Sequence, residues 1–191
     1  MTDSPITGTE SATHRSLAEF EERFAALPPP PYENGQLRLI VCRRAPGIHE
    51  RLEWVNLTPE EGVPGDEWNR RPPHHSDAQL AVIQHDIAEL VANGQPLTTS
   101  GDNLIVELDL SAANLPAGTR LRVGEAMVEV TIKPHNGCHK FARRFGPDAL
   151  QFVQAPARRH LNLRGIYWKV ISAGAARAGD HIEVLSRPPA K

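Results

Sequence analysis

The chain is poor in cysteine, in unbalanced charge and in long apolar runs, and each shortage removes a class of function. Cys42 and Cys138 are the only 2 cysteines in 191 residues. They cannot supply the four ligands of an ordinary iron–sulfur cluster, and their wide separation in an expected reducing compartment argues against a structural disulfide. Each is read as a separate thiol. Lys plus Arg total 21 against 23 Asp plus Glu, which leaves no field for gripping nucleic acid or an anionic membrane. No stretch approaches the roughly 20 apolar residues of a membrane span. The segment before Pro28, with Asp3, Glu10, Glu19, Glu21 and Glu22, lacks the basic and apolar regions of a signal peptide. No GxGxxG fingerprint follows a strand candidate, so a dinucleotide is not the expected cofactor. These absences predict a soluble cytoplasmic protein without nucleic-acid or membrane partners. Any electrons it uses come from elsewhere.

What is present suits one domain with its own hydrophobic core. Leu17, Phe20, Phe24 and Leu27 recur at helical spacing between Ser11 and Leu27, and Pro28 to Pro31 stop any helix. Residues 1–34 therefore read as an amphipathic helix on a proline-rich linker, and residues 35–191 as the domain. Gly35 to Arg43 is strand-like, with Leu37, Leu39 and Val41 expected on one face. Further strands are expected at Leu52 to Leu57, Gln79 to Ile83, Gly165 to Ile171 and His181 to Leu185. Thr119 to Ile132 is the clearest hairpin, alternating up to Gly124-Glu125 and away from it. His85 to Ala92, ended by Asn93-Gly94, and Pro147 to Val153 are short helix candidates. Gly62 to His75 has no useful periodicity and reads as a long functional loop. Many short strands with few helices predict a mainly β fold, a barrel with a few short peripheral helices.

The segment Lys133-Pro134-His135-Asn136-Gly137-Cys138-His139-Lys140 puts a thiol directly after a strand, on a turn, among two histidines and two lysines. Cationic neighbours and unpaired backbone N–H groups favour a thiolate, the form that binds soft metals or attacks electrophiles. Three other readings stand beside it. Cys138 can be a small buried hydrophobe; it can join His135, His139 and His74 or His75 around zinc, although the spacing matches no strong zinc pattern; or it can be a nucleophile paired with an imidazole.

The ordered set Gly65-Asp66, Gln79 to Ile83, Gly101-Asp102-Asn103-Leu104, Gly118 to Gly124, Cys138-His139-Lys140, Arg164-Gly165-Ile166-Tyr167 and Ala178-Gly179-Asp180 resembles the MOSC family, named after the C-terminal region of molybdenum cofactor sulfurase. The resemblance runs from about Gly62 to Val184 and implies a bent β-barrel, of the small stand-alone bacterial type, in which Cys138 coordinates molybdenum. The molybdenum cofactor, a metal on a pyranopterin dithiolene, also needs partners for its pterin and phosphate. Asp66, Arg70, Asn103, Asn136, Lys140, Arg164 and Tyr167 are the candidates, a guanidinium being able to grip phosphate bidentately. Arg164 and Lys140 can equally be solvated charges, and Gly65-Asp66 a turn signature. The segment Glu67-Trp68-Asn69 before Arg70 and Arg71 departs from the family pattern, as does Asp102 where a Glu is usual. The larger relatives' extra β-barrel domain has no counterpart, so the pocket is expected to be more open or closed by a second copy in a homodimer.

The expected activity is reduction of an N-hydroxylated small molecule, with electrons from external reductase proteins and Cys138 and His139 as catalytic residues. His135 or His139 would relay protons, because an imidazole ordinarily titrates at about 6.5. The alternative is a carrier that holds the cofactor, or sulfur as a persulfide, without turnover.

Overall fold

The computed structural model describes residues 14–70 and 72–189. Their strands are β1 (Asn34–Ala45), β2 (Ile48–Leu52), β3 (Trp54–Leu57), β4 (Leu80–Gln84), β5 (Leu104–Glu107), β6 (Arg120–Val123), β7 (Ala126–Val130), β8 (Ile166–Ser172), β9 (Gly174–Arg177) and β10 (His181–Ser186). Helices are α1 (Leu17–Ala25), α2 (Glu67–Arg70), α3 (His85–Ala92), α4 (His139–Phe145) and α5 (Pro147–Gln154).

Seven strands close a barrel in the order β10-β6-β7-β8-β4-β5-β1, the ring being completed by antiparallel pairing of β1 with β10. β2 extends the far end of β1, and β3 pairs with β9 in a separate ribbon. Only β4 and β5 run parallel. The interior follows from alternation: Leu121, Val123, Ala126, Val128 and Val130 of the β6–β7 hairpin point inward against Leu80, Val82, Leu104, Val106 and Trp168. Gly124 takes φ 57° in the hairpin turn, and a Cβ there would meet Asp180 Oδ2 at 2.5 Å.

β1 departs from the simple alternation expected of it. Its register slips between Leu37 and Leu39, a bulge that turns the strand over. Leu37, Ile40 and Cys42 enter the barrel core, whereas Leu39 and Val41 face outward onto Ile83, Ala88 and Ile105. The expectation of Leu37, Leu39 and Val41 on one face is corrected by this extra residue. Cys42 is fully buried, as a strand-core thiol should be.

A second core lies outside the barrel, where Phe20, Ile87, Val91, Phe141, Phe145, Phe152 and Leu163 join α1, α3, α4 and α5. The N-terminal helix is shorter than the Ser11 to Leu27 expectation; Ser11 lies outside the described residues, and Ser16 with Glu19 forms a capping box. Phe20 is fully buried and stacks on Phe152 at 5.2 Å. Glu21 holds Arg158 through two contacts of 2.5 Å. This helix is thus part of the packed structure. The α3 helix occupies its expected span and ends where Asn93 takes φ 47°. α4 was not expected: its only buried positions are Phe141 and Phe145, and no side chain caps it. Residues 62–75, expected as a loop, contain one short turn of helix, α2.

Candidate functional site

The site lies where the ends of β1, β4 and β8 meet the start of α4, and two buried Asp–Arg pairs set its geometry. Asp66 is 1% exposed and accepts from the Arg43 amide at 2.7 Å, from Arg43 Nη2 at 2.6 Å, and from the Trp68 amide at 2.9 Å. Burial works against its charge, but Arg43 and these donors hold its pKa below the usual carboxylate range. Arg43 is likewise disfavoured by burial and kept charged by Asp66. Asp102 is fully buried, and Arg164 Nη1 donates to its two oxygens at 2.9 and 3.1 Å. Burial opposes the Asp102 charge; Arg164, and His135 next, outweigh it and lower the pKa.

Asn103 ties the two halves together. Its Oδ1 accepts from the Ala81 amide at 3.0 Å, and its Nδ2 donates to Val41 O at 3.2 Å and Asp66 Oδ2 at 3.1 Å. Fully buried, it bridges β1, β4 and the 62–75 segment. The backbone reinforces the approach, since a Cβ on Gly165, at φ 98°, would overlap Val82 O. Glycine lets β8 begin against β4 and so brings Arg164 to Asp102.

These elements enclose a cavity of about 370 Å³ whose lining includes Cys138, Arg43, His49, Asp102, His135, Lys140, Phe141, Arg143, Arg144, Arg164 and Tyr167. Cys138 is exposed and uncrosslinked, at the N-cap of α4. Five of the lining side chains are cations against the two carboxylates of Asp102 and Glu67, which leaves the wall basic on balance. Arg164 lies over the Phe141 ring at 4.9 Å, and Arg144 Nη1 donates to Ser100 O at 2.8 Å. His49 Nδ1 pairs with Thr98 O at 2.6 Å, and burial lowers its pKa. A second cavity of about 350 Å³, lined by Asn136, Gln154, Arg159 and Asn162, shares His135 and Arg164 with the first.

His135 forms the partition. Its ring stacks on Tyr167 at 4.2 Å, and its Nε2 stands 3.8 Å from Asp102 Oδ1. Burial first, then Arg164, push its pKa down to about 3, so it is a neutral imidazole near pH 7. That removes the imidazolium relay expected of His135. Burial raises the Tyr167 pKa, so its phenol keeps its proton.

The expected site residues therefore divide. Cys138, Lys140, Arg164 and Tyr167 share the main cavity, and Asn136 lines the second. Asp66 and Asn103 act behind it as braces. Arg70 is exposed and donates to the carbonyls of Arg43, at 2.9 Å, and Arg44, outside the main lining. His139 is exposed and is not among the lining residues. Arg71 lies outside the described residues. Sequence reasoning missed Arg43, His49, Arg143 and Arg144; the one usable signal was Arg43-Arg44 directly after the apolar run Leu39 to Cys42. Among the described residues, the single three-ligand cluster of metal-binding type is His85, Asp86 and Glu89 on α3, and Cys138 is not part of it. Among them, too, no hydrogen bond links Cys138 to an imidazole.

Residues 65–183, well over half of the chain, match the family model of the MOSC domain. The chain belongs to the MOSC domain family. Its barrel is shared with solved structures that are similar in fold. The YuaD protein from Bacillus subtilis superposes with TM-score 0.60 at 19% identity, covering 81% of this chain and 97% of that one. YiiM from Escherichia coli gives 0.54 at 21% identity, covering 80% and 71%, and YiiM from Geobacillus stearothermophilus gives 0.54 at 16%, covering 80% and 76%. Among curated proteins the comparison finds no match. No helix among the described residues is long and apolar enough to cross a membrane.

Proposed function

We propose that this MOSC domain binds the molybdenum cofactor in the basic cavity and uses it to reduce N-hydroxylated small molecules, taking electrons from separate reductase proteins. The observation that carries the reading is a free, exposed thiol, Cys138, in the same wall as Arg43, Lys140, Arg143, Arg144 and Arg164. A thiolate suits a sulfur-rich molybdenum centre, and a guanidinium cluster suits an anionic phosphate. The donor set has room for more partners: His135 Nδ1 and Arg164 Nε are buried without a hydrogen-bond partner among the described residues.

Cys138 would ligate the metal, and Arg164, Lys140 and Arg144 would hold the phosphate. Asn136, at the second cavity, would serve the pterin. When bound, the cofactor supplies a two-electron couple. Converting R–NH–OH to R–NH2 and water consumes two electrons and two protons. Asp102 aims Arg164 through its two hydrogen bonds, Asp66 holds Arg43 in place and charged, and Asn103 holds both loops in register. Tyr167 Oη, protonated and in the wall, is a donor for a substrate oxygen, while neutral His135 orients its ring. His139, exposed next to Cys138 and outside the cavity lining, would exchange protons with solvent.

A carrier without turnover is the second reading, favoured by the neutral state of His135, which takes that imidazole out of the set of cationic proton donors lining the cavity. The two part in one assay. Molybdenum-loaded protein with an artificial reductant is expected to form amidine from an amidoxime in proportion to bound molybdenum; bound molybdenum with no amidine from any reductant would leave the carrier.

A further inference from the structure

The 62–75 segment adds an aromatic corner beside the cavity that cofactor binding leaves unused. Trp68 of α2 and His74 pack ring to ring, with centroids 4.1 Å apart and planes inclined by 51°. The Trp68 indole N–H donates to His75 O at 3.2 Å, and its amide donates to Asp66 Oδ1 at 2.9 Å. The side chain is held by its own loop, and the backbone by the carboxylate that fixes Arg43. Together with Arg43 and Glu67 the two rings line a recess of about 210 Å³. Arg43 and Glu67 also line the main cavity, so the recess adjoins it.

We infer that Trp68 and His74 form a stacking subsite that makes the cavity prefer planar aromatic ligands over aliphatic ones carrying the same head group. As a statement about substrates the inference rests on the proposed reductase reading; as a statement about binding it stands alone. Aromatic faces contribute beyond the area they bury when rings meet offset or edge to face. Trp68 is only half-buried and His74 is exposed, so ring surface remains for a ligand. Both ends of Trp68 being anchored, little side-chain freedom is lost on binding. Arg43, locked by Asp66, borders the recess with a flat guanidinium on which a ring can also lie.

The test compares benzamidoxime with acetamidoxime, which share a neutral head and differ in the ring, on the full chain without reductant, with calorimetry. The wild type is expected to bind benzamidoxime more tightly, and Trp68→Ala to lower the benzamidoxime affinity roughly fivefold to tenfold while leaving acetamidoxime unchanged. Trp68→Phe should keep most of the preference, and His74→Ala should lose part of it. Circular dichroism identifies a misfolded variant, in which case the Trp68→Phe and His74→Ala pair decides. Equal binding of the two amidoximes by wild type, or an unchanged ratio in Trp68→Ala and His74→Ala, overturns the subsite. Turnover of benzamidoxime and acetamidoxime is measured separately. Absence of amidine from both, with the binding preference intact, refutes the reductase reading and leaves the subsite standing.

Discussion

The two sides of the cavity are built on opposite physical terms. On one side Asp66, Asn103 and Asp102 are buried and spend their hydrogen bonds on Arg43, Arg164 and neighbouring backbone. On the other, Cys138 and Lys140 are exposed at the start of a short helix. Residues of the first side cannot turn toward a ligand without leaving a buried cation or amide unpaired. Those of the second can. In the proposed site motif residues need not touch the ligand: Asp66 and Asn103 brace Arg43, and Arg43, at the end of β1 and outside the motifs, supplies part of the wall.

If that division holds, stability should respond to one side and occupancy to the other. The largest loss is expected for Asp66→Ala and Asp102→Ala, each of which leaves a mostly buried arginine uncompensated, at about 3–5 kcal/mol by urea unfolding. A loss below about 1 kcal/mol would show that these pairs behave as surface ion pairs. Asn103→Ala should follow at about 1–3 kcal/mol, since it orphans the Ala81 amide.

Acid should act in the same direction. His135 has a folded pKa of about 3 against 6.5 for a free imidazole, so below the higher value the unfolded chain takes up a proton that the folded one refuses. Stability from this group is complete above pH 6.5 and falls by about 1.4 kcal/mol per pH unit between the two values. Asp66 and Asp102, whose folded pKa values are depressed, add to the loss as pH falls further through the carboxylate range. His135→Gln should flatten the slope between pH 6 and 4 in a pH series of thermal unfolding, and an unchanged slope would place the proton elsewhere. The smallest effect is expected for Cys138→Ala and His139→Ala, within about 0.5 kcal/mol of wild type by the same unfolding assay.

Much of the barrel was legible because alternation reports burial directly, as in Leu121, Val123, Val128 and Val130. The β1 bulge was not, since an extra residue has no signature in a run as uniformly apolar as Leu39 to Cys42. α4 escaped because two phenylalanines four residues apart make a weak stripe, and Cys138 provides no cap bond. At the site, Cys138, Lys140 and Arg164 could be named from local chemistry and resemblance. Arg43 could not, because its meaning depends on Asp66, 23 positions away, and His135 was misjudged because the burial that neutralises it arises only in three dimensions.

The most direct test of the thiolate site is the molybdenum content of freshly isolated wild type, Cys138→Ser and Cys42→Ser, each produced in cells that make the cofactor. Wild type and Cys42→Ser are expected to carry molybdenum in similar amounts and Cys138→Ser to lose most of it while staying folded; equal molybdenum in both serine variants would contradict ligation by Cys138.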